Sequence, residues 1–287
     1  MRQMRRDGTF TETQSGQDRF LAALYGSALG RLLLKPLIAP PVSRLAGRVL
    51  STRLSRVFIR PFCRKNSIDL SQFLGAPYGS YNEFFSRPIR PELRPVDADP
   101  RRLVSPADSK LTVYPVTEDA RFTVKHTEYT LPQLLRDDAL AAEFSGGQLL
   151  LFRLCVDDYH RYCFPADGVV AGRQALPGVL HTVNPVAGDY YPIYKENARE
   201  YCRLSTAAFG EMLQMEVGAL LVGKIENHPV SGPVKKGQEK GLFRFGGSTV
   251  ILVVKQGALD VDADILHNSQ NGWETVVRCG EAIGTAK

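Results

Sequence analysis

Phe243 to Val254 reads FRFGGSTVILVV, two glycines and a Ser-Thr pair running straight into β-branched and other apolar residues. The apolar run reads as a buried strand, and a buried strand needs a sheet around it. From Leu103 onward the chain supplies one. Short β-type runs such as LVSPADSKLTVYPV, QLLLFRLCV, GVVAGRQ, EYCRL and MLQMEVGALLVGKI alternate with turns, with one helical interruption at TLPQLLRDDALAAEF. Phe20 to about Phe62 is patterned as helix instead. The fold class is therefore α+β, with N-terminal amphipathic helices segregated from a mainly β body. No period between about 20 and 50 residues marks a solenoid.

Charge is unevenly spread. The chain of 287 residues carries a formal net charge of +6, and residues 18–62 hold eight Lys/Arg against the single acid Asp18. FLAALYGSALG is uncharged for only eleven residues, short of the roughly 20 that span a bilayer. In APPVSRLAGRVLSTRLSRVFIRPF a helix puts Leu50, Leu54, Val57 and Phe58 on one face, with Arg44, Arg48, Arg53, Arg56 and Arg60 around the rest. Such a segment suits an anionic membrane surface, its guanidiniums on headgroups and its apolar face in the acyl boundary. An amphipathic helix packed on the body with solvated arginines is the other reading. Residues 1–17 are polar and expected to be flexible, 18–62 to form the membrane-associating region, and 63–287 to form the catalytic domain.

The basic residues at the extreme N-terminus are not followed closely by an apolar stretch, so no secretory signal is expected. Five scattered cysteines show no CxxC and no paired spacing. Neither a disulfide framework nor a zinc site is expected, and reduced thiols in a cytoplasmic setting are.

Three stretches carry more polar side chains than packing requires. SPADSK holds Asp108 in a turn, and CVDDYHRYCFPADG places His160 beside Asp157, Asp158, Arg161 and Cys163. The third is the FGGST entrance to the buried strand. A phosphate loop of Walker type needs a Lys before the Ser/Thr and a helix after it, and here there is neither. A nucleophile elbow needs a second glycine where Val250 stands. Two readings survive: a plain turn, or a reactive peptide bond. Gly247 leaves its own carbonyl unshielded, so the Ser248 hydroxyl can attack it. Elimination across Ser248 would then break the chain and leave a pyruvoyl group, an electron sink made without a bound cofactor.

YNEFFSRPIRPELRPVD, SPADSKL, DDYHRYCFPADG, LHTVNPV, KENAREY, FGEMLQMEVGALLVGKI and KKGQEKGLFRFGGSTVILV stand in this order from Tyr81 onward. In these segments the chain resembles the phosphatidylserine decarboxylase family. The resemblance implies self-cleavage between Gly247 and Ser248 into a β chain of 1–247 and an α chain of 248–287, which stay together as a heterodimer. It implies a barrel-like hybrid motif of lipoyl/biotinyl type around Val217 and Ser248. Phosphatidylserine would form a Schiff base with the pyruvoyl group of Ser248, lose carbon dioxide, take a proton from His160 and leave as phosphatidylethanolamine. No metal and no nucleic acid enter this scheme, and a peripheral site on the cytoplasmic side of a membrane is expected.

One position departs from the family pattern. There the strand reads D-Y-H-R-x-H, and the second histidine joins an Asp and the Ser in a cleavage triad. Asp108 and Ser248 match, but Cys163 stands at the histidine position in DYHRYC. A cysteine without a basic partner is a small buried hydrophobe. His160 is then the candidate base for Ser248 as well as the proton donor, and His228, in IENHP, is the runner-up base. Two alternatives keep the same residues: a pyruvoyl enzyme for a free amino acid, or an uncleaved lipid-binding homologue.

Overall fold

The computed structural model describes residues 2–12, 16–124, 126–188, 190–220, 224–244 and 248–287. The α+β expectation holds. Ten strands form the main sheet in the order Gly232–Val234, Gly168–Leu176, Arg199–Thr206, Gly210–Val217, Ser248–Val254, Gln148–Leu154, Ser109–Pro115, Glu274–Val277, Arg2–Arg5 and Phe10–Glu12. Neighbours are antiparallel except Arg2–Arg5, which runs parallel to Glu274–Val277.

The Ser248–Val254 strand lies inside this sheet with all seven residues buried. Val250, Leu252 and Val254 enter one core with Phe152, Leu154, Tyr162, Phe164 and Phe243. Ile251 and Val253 enter a second core with Leu149, Leu151, Leu213, Met215 and Val217. An apolar run without alternation is what two covered faces require. Side chains alternate along a strand, so Ser248 belongs to the first face and Thr249 to the second.

The barrel-like motif expected around Val217 and Ser248 is corrected by this topology. Val217 does pair with Thr249, but the ladder runs on through Gln148–Leu154 and Ser109–Pro115 and ends in short edge strands. Among the described residues no sheet closes on itself. Two three-stranded sheets accompany the main one, and one of them, Ile225–Asn227, Glu239–Phe243 and Arg161–Cys163, carries site residues.

The polar N-terminus differs from the flexible arm that its composition suggests. Residues Arg2–Arg5 and Phe10–Glu12 form a hairpin on the sheet edge. Arg6 donates to Asp262 at 2.7 Å, to Asp264 at 2.9 Å and to Glu281 at 3.3 Å, and Phe10 packs on Trp273. Polar residues are ordered here because their partners are supplied from the far end of the chain.

Helices Gly16–Gly26, Ala28–Leu37, Pro40–Leu50 and Ile59–Lys65, with a 3₁₀ turn at Arg53–Phe58, make the N-terminal layer. The continuous helix expected to align Leu50 with Leu54, Val57 and Phe58 is broken. Ser51 and Thr52 donate their hydroxyls back to the Gly47 and Val49 carbonyls at 2.8 and 2.7 Å, which closes the helix at Leu50. Tyr25 and Leu34 anchor the layer in the second core. Leu54, Val57 and Phe58 instead stand 83%, 68% and 56% exposed. At the seam the Tyr25 hydroxyl accepts from the Thr182 amide at 3.0 Å and lies 3.4 Å from His181 Nδ1. Burial pushes the His181 pKa down to about 4. No single helix among the described residues is long and apolar enough to cross a membrane.

Candidate active site

Ser248 opens the central strand at a point fixed from two sides. It pairs with Leu154, and the Phe243 amide donates to the His160 carbonyl at 2.9 Å. The stretch from Phe243 to Ser248 is thus pinned at both ends to the stretch from Leu154 to His160. Gly247, the other side of the expected scissile bond, lies outside the described residues. The close fit of the Glu239–Phe243 strand depends on Gly241, where a Cβ would stand 2.4 Å from the Glu226 carbonyl and 2.8 Å from the Tyr162 hydroxyl.

Ser248 is fully buried, and its hydroxyl has no hydrogen-bond partner among the described residues. An unsatisfied buried hydroxyl costs about 1–3 kcal/mol, and such groups in native structures call for an explanation. His160 is likewise buried. Its Nδ1 lies 2.9 Å from the Asp158 carbonyl, and its ring packs on Phe85 with centroids 4.1 Å apart. Asp158 in turn accepts from Lys110 Nζ at 2.6 Å and from the Cys155 amide at 2.6 Å. Burial works to lower the Lys110 pKa, but the Asp158 carboxylate outweighs it and holds the ammonium charged. The loop before His160 is therefore fastened by a buried ion pair. Sequence reasoning missed Lys110, although it stands two residues after Asp108.

Asp108 lies in another corner. Its carboxylate accepts from Arg94 Nε at 2.8 Å and Nη2 at 2.5 Å, and from the Cys279 amide at 2.9 Å. The Cys163 thiol stands 3.6 Å from the Cys279 thiol and 3.9 Å from the Ser105 carbonyl. The hydrogen bond to Cys163 comes first among the causes that push the Cys279 pKa well up, followed by burial. Asp108 and Cys163 thus meet through Cys279, 116 residues from Cys163. No sequence signal points to that residue. Arg94 does lie in a family-matched segment. His228 is on the rim, with Nε2 at 2.7 Å from Glu239, which also accepts from Arg161 at 2.8 Å.

A cleft of about 760 Å³ opens between the Pro40–Leu50 helix and the body, lined by Ser43, Arg44, Arg48, Asn82, Lys224 and Arg244 among others. Arg44 and Arg48 have no ion-pair partner among the described residues, and the buried Ser43 Oγ and Asn82 Oδ1 have no hydrogen-bond partner there. Arg244 pairs with Glu226 at 2.7 Å and donates to the Ser86 hydroxyl at 3.2 Å, while Arg161 donates to the Ser86 carbonyl at 2.8 Å. Ser86 follows Phe85, the residue packed on His160, so one short segment joins the cleft to the buried site. Glu83 and Glu226 also line the cleft, with Glu226 paired to Lys224 and Arg244, and the side formed by Arg44 and Arg48 suits an anion with a polar neighbour.

Residues 81–285 match the family model described as phosphatidylserine decarboxylase. The chain is 43% identical over 272 residues to phosphatidylserine decarboxylase proenzyme 2 of Clostridium acetobutylicum, covering 94% of this chain and 92% of the relative. It is 39% identical over 272 residues to a phosphatidylserine decarboxylase proenzyme of Ruminiclostridium cellulolyticum, covering 93% and 91%. A proenzyme of that name from Chlamydia felis is 36% identical over 273 residues, with 93% and 91% covered.

Proposed function

Because the chain belongs to the phosphatidylserine decarboxylase family, we propose that it decarboxylates phosphatidylserine at a membrane surface with a pyruvoyl group made from its own Ser248. The observation that carries this reading is the Ser248 hydroxyl, buried and without a partner among the described residues, at the head of the central strand. A pyruvoyl group fits there. It occupies the space of the serine it replaces, in an apolar face shared with Leu154 and Phe243, and with the hydroxyl proton gone it needs no acceptor.

In the precursor the Ser248 oxygen attacks the Gly247 carbonyl carbon, so that an ester replaces the amide. Elimination across Ser248 then takes its Cα proton and parts the chain into 1–247, which leaves as a carboxylate, and 248–287. Water replaces the enamine nitrogen of 248–287 as ammonia, which gives the pyruvoyl carbonyl. His160 takes the hydroxyl proton in the first of these steps, the attack on Gly247. The name proenzyme on the relatives supports a cleaved product. Asp108, bound by Arg94 and the Cys279 amide, holds together segments from both products of that cleavage.

A pyruvoyl carbonyl supplies an electron sink for the electron pair released as carbon dioxide leaves. The chain's own residues do the rest. Arg44 and Arg48 hold the phosphodiester in the cleft, with Ser43 and Asn82 beside it. Phe85 keeps water from His160, which delivers the proton to the carbon that has lost its carboxylate. Positioned proton transfer of this kind contributes roughly 10²–10⁴-fold. Exposed Leu54, Val57 and Phe58 enter the lipid interface, which favours a lipid substrate over a free amino acid.

Intact mass and a denaturing gel of the purified protein, followed by conversion of phosphatidylserine in vesicles, test this. Two chains that meet at residues 247/248 and phosphatidylethanolamine as product are expected. One unbroken chain of 287 residues that still turns over phosphatidylserine would overturn the pyruvoyl reading.

A further inference from the structure

Cys163 and Cys279 are held face to face by one turn. The Cys163 amide donates to the Pro106 carbonyl at 2.9 Å, and the Cys279 amide to Asp108 Oδ1 at 2.9 Å. The Cys279 thiol donates to the Pro106 carbonyl at 3.5 Å. With both backbones fixed on residues 105–108, the sulfurs stand 3.6 Å apart. A disulfide needs about 2.05 Å, so each sulfur has to move by only about 0.8 Å, within reach of side-chain rotation. Among the described residues no other two cysteine sulfurs are in contact.

The pair can be reached through Cys279, since Cys163 is buried. Cys279 is half-buried and lines a second cleft of about 450 Å³ together with Arg5, Arg6, Arg94 and Arg278. Arg6 is tied to Asp262 and Asp264, and Arg94 to Asp108. Arg5 and Arg278 have no ion-pair partner among the described residues. Asp7 and Glu281 also line the cleft, and the Glu281 carboxylate accepts from Arg6 and from the Arg278 amide. Two free guanidiniums beside a thiol suit a small molecule that carries carboxylates next to its sulfur.

We propose that Cys163 and Cys279 are a covalent modification site, converted to a disulfide by an anionic low-molecular-weight disulfide entering through the arginine-lined cleft. The Cys279 thiol, which the Cys163 contact and burial hold protonated, first gives its proton to alkaline solvent. The thiolate then attacks one sulfur of the small disulfide, forming a mixed disulfide and releasing one small thiol. The Cys163 thiol then loses its proton and attacks Cys279 Sγ, releasing the second. Two protein thiols are oxidised and one small disulfide is reduced to two thiols. This chemistry does not depend on chain cleavage. Its consequence rests on the proposed cleavage, since Cys163 belongs to 1–247 and Cys279 to 248–287, and the bond would tie the two chains covalently beside Asp108.

The test uses the full-length protein, incubated with glutathione disulfide at mildly alkaline pH, blocked with N-ethylmaleimide and mapped by peptide mass. A linked Cys163–Cys279 peptide is expected. It is lost in both Cys163→Ser and Cys279→Ser and retained in Cys202→Ser, and Cys163→Ser traps the glutathione mixed disulfide on Cys279. On a non-reducing gel the two products of cleavage migrate together and separate with dithiothreitol. Peptide mapping reads the bond in an uncleaved chain too, so absence of cleavage and absence of the disulfide are separate results. Alkylation of both cysteines after oxidation, or linkage of either to another cysteine, overturns the proposal. Glutathione disulfide is expected to react about tenfold faster than cationic cystamine, and Arg278→Gln to remove most of that difference. Equal rates for the two oxidants would overturn the role given to the cleft.

Discussion

The β body and the N-terminal helical layer treat apolar side chains in opposite ways. In the Ser248–Val254 strand every residue is buried, and two cores meet across it. In the helical layer Leu54 is 83% exposed and Val57 and Phe58 follow it, while Tyr25 and Leu34 hold the layer to the body. Buried apolar area stabilises the body by about 25 cal/mol per Å². The same kind of surface left in water stabilises nothing until another surface covers it. In the proposed function the contrast separates two tasks: the body holds reacting atoms still, and the layer keeps apolar surface for lipid.

The largest effect expected from breaking this division is at Ser248. Ser248→Ala removes the attacking oxygen, so the chain should stay whole on a denaturing gel and produce no phosphatidylethanolamine above background. Vesicle binding should persist, because the helical layer is untouched. Loss of vesicle binding in this variant would merge the two tasks into one.

His160→Ala comes next. Phosphatidylserine turnover should fall roughly 10²–10⁴-fold. If His160 also serves the precursor, cleavage should slow with it when followed by gel after synthesis. Full-speed cleavage in this variant would move the base elsewhere, with His228 on the rim as the first to try.

The double change Leu54→Glu with Val57→Glu acts on the other region alone. Each side chain gives up part of the roughly 1.5–3 kcal/mol that its full burial would provide. Sedimentation with anionic vesicles should then weaken by at least about tenfold, with chain cleavage and thermal midpoint unchanged. A fall in the midpoint would show that these residues pack within the protein instead.

The smallest effect lies at the seam. His181 in the folded chain titrates at about 4, below its ordinary 6.5. Its contribution is complete above about pH 6.5 and is lost as the pH falls toward about 4, because the unfolded chain binds the proton first. The thermal midpoint should therefore drop by a few degrees across that window, measured against His181→Phe, in which this part of the drop disappears. Tyr25, Tyr191 and Glu196 face this ring, so the loss should loosen the helical layer before the body.

Local chemistry made much of this legible in the sequence. The STVILVV run, the basic helical leader and the ordered segments around Asp108, His160 and Ser248 point to strand, layer and candidate site because each signal lies within a few neighbouring residues. What depended on distant partners did not show. Residues 2–12 are polar, yet they join the sheet edge because Asp262, Asp264 and Glu281 meet Arg6. A helix that periodicity alone would continue past Leu50 ends where two hydroxyls turn back on its carbonyls.

By itself the sequence singled out the residues proposed to react and the chemistry each can offer, since hydroxyl, imidazole and carboxylate chemistry belongs to the side chain. It determined that the central strand is buried, since seven such residues have no stable place in water. Only the tertiary structure decided who stands beside whom. It sends the ladder past Ser248 into an open sheet, ties Asp108 to Arg94, and sets Cys163 against Cys279 across 116 residues of chain. The physical reason is that periodicity reads which face of an element is covered, while a contact between distant residues exists only after the elements have packed.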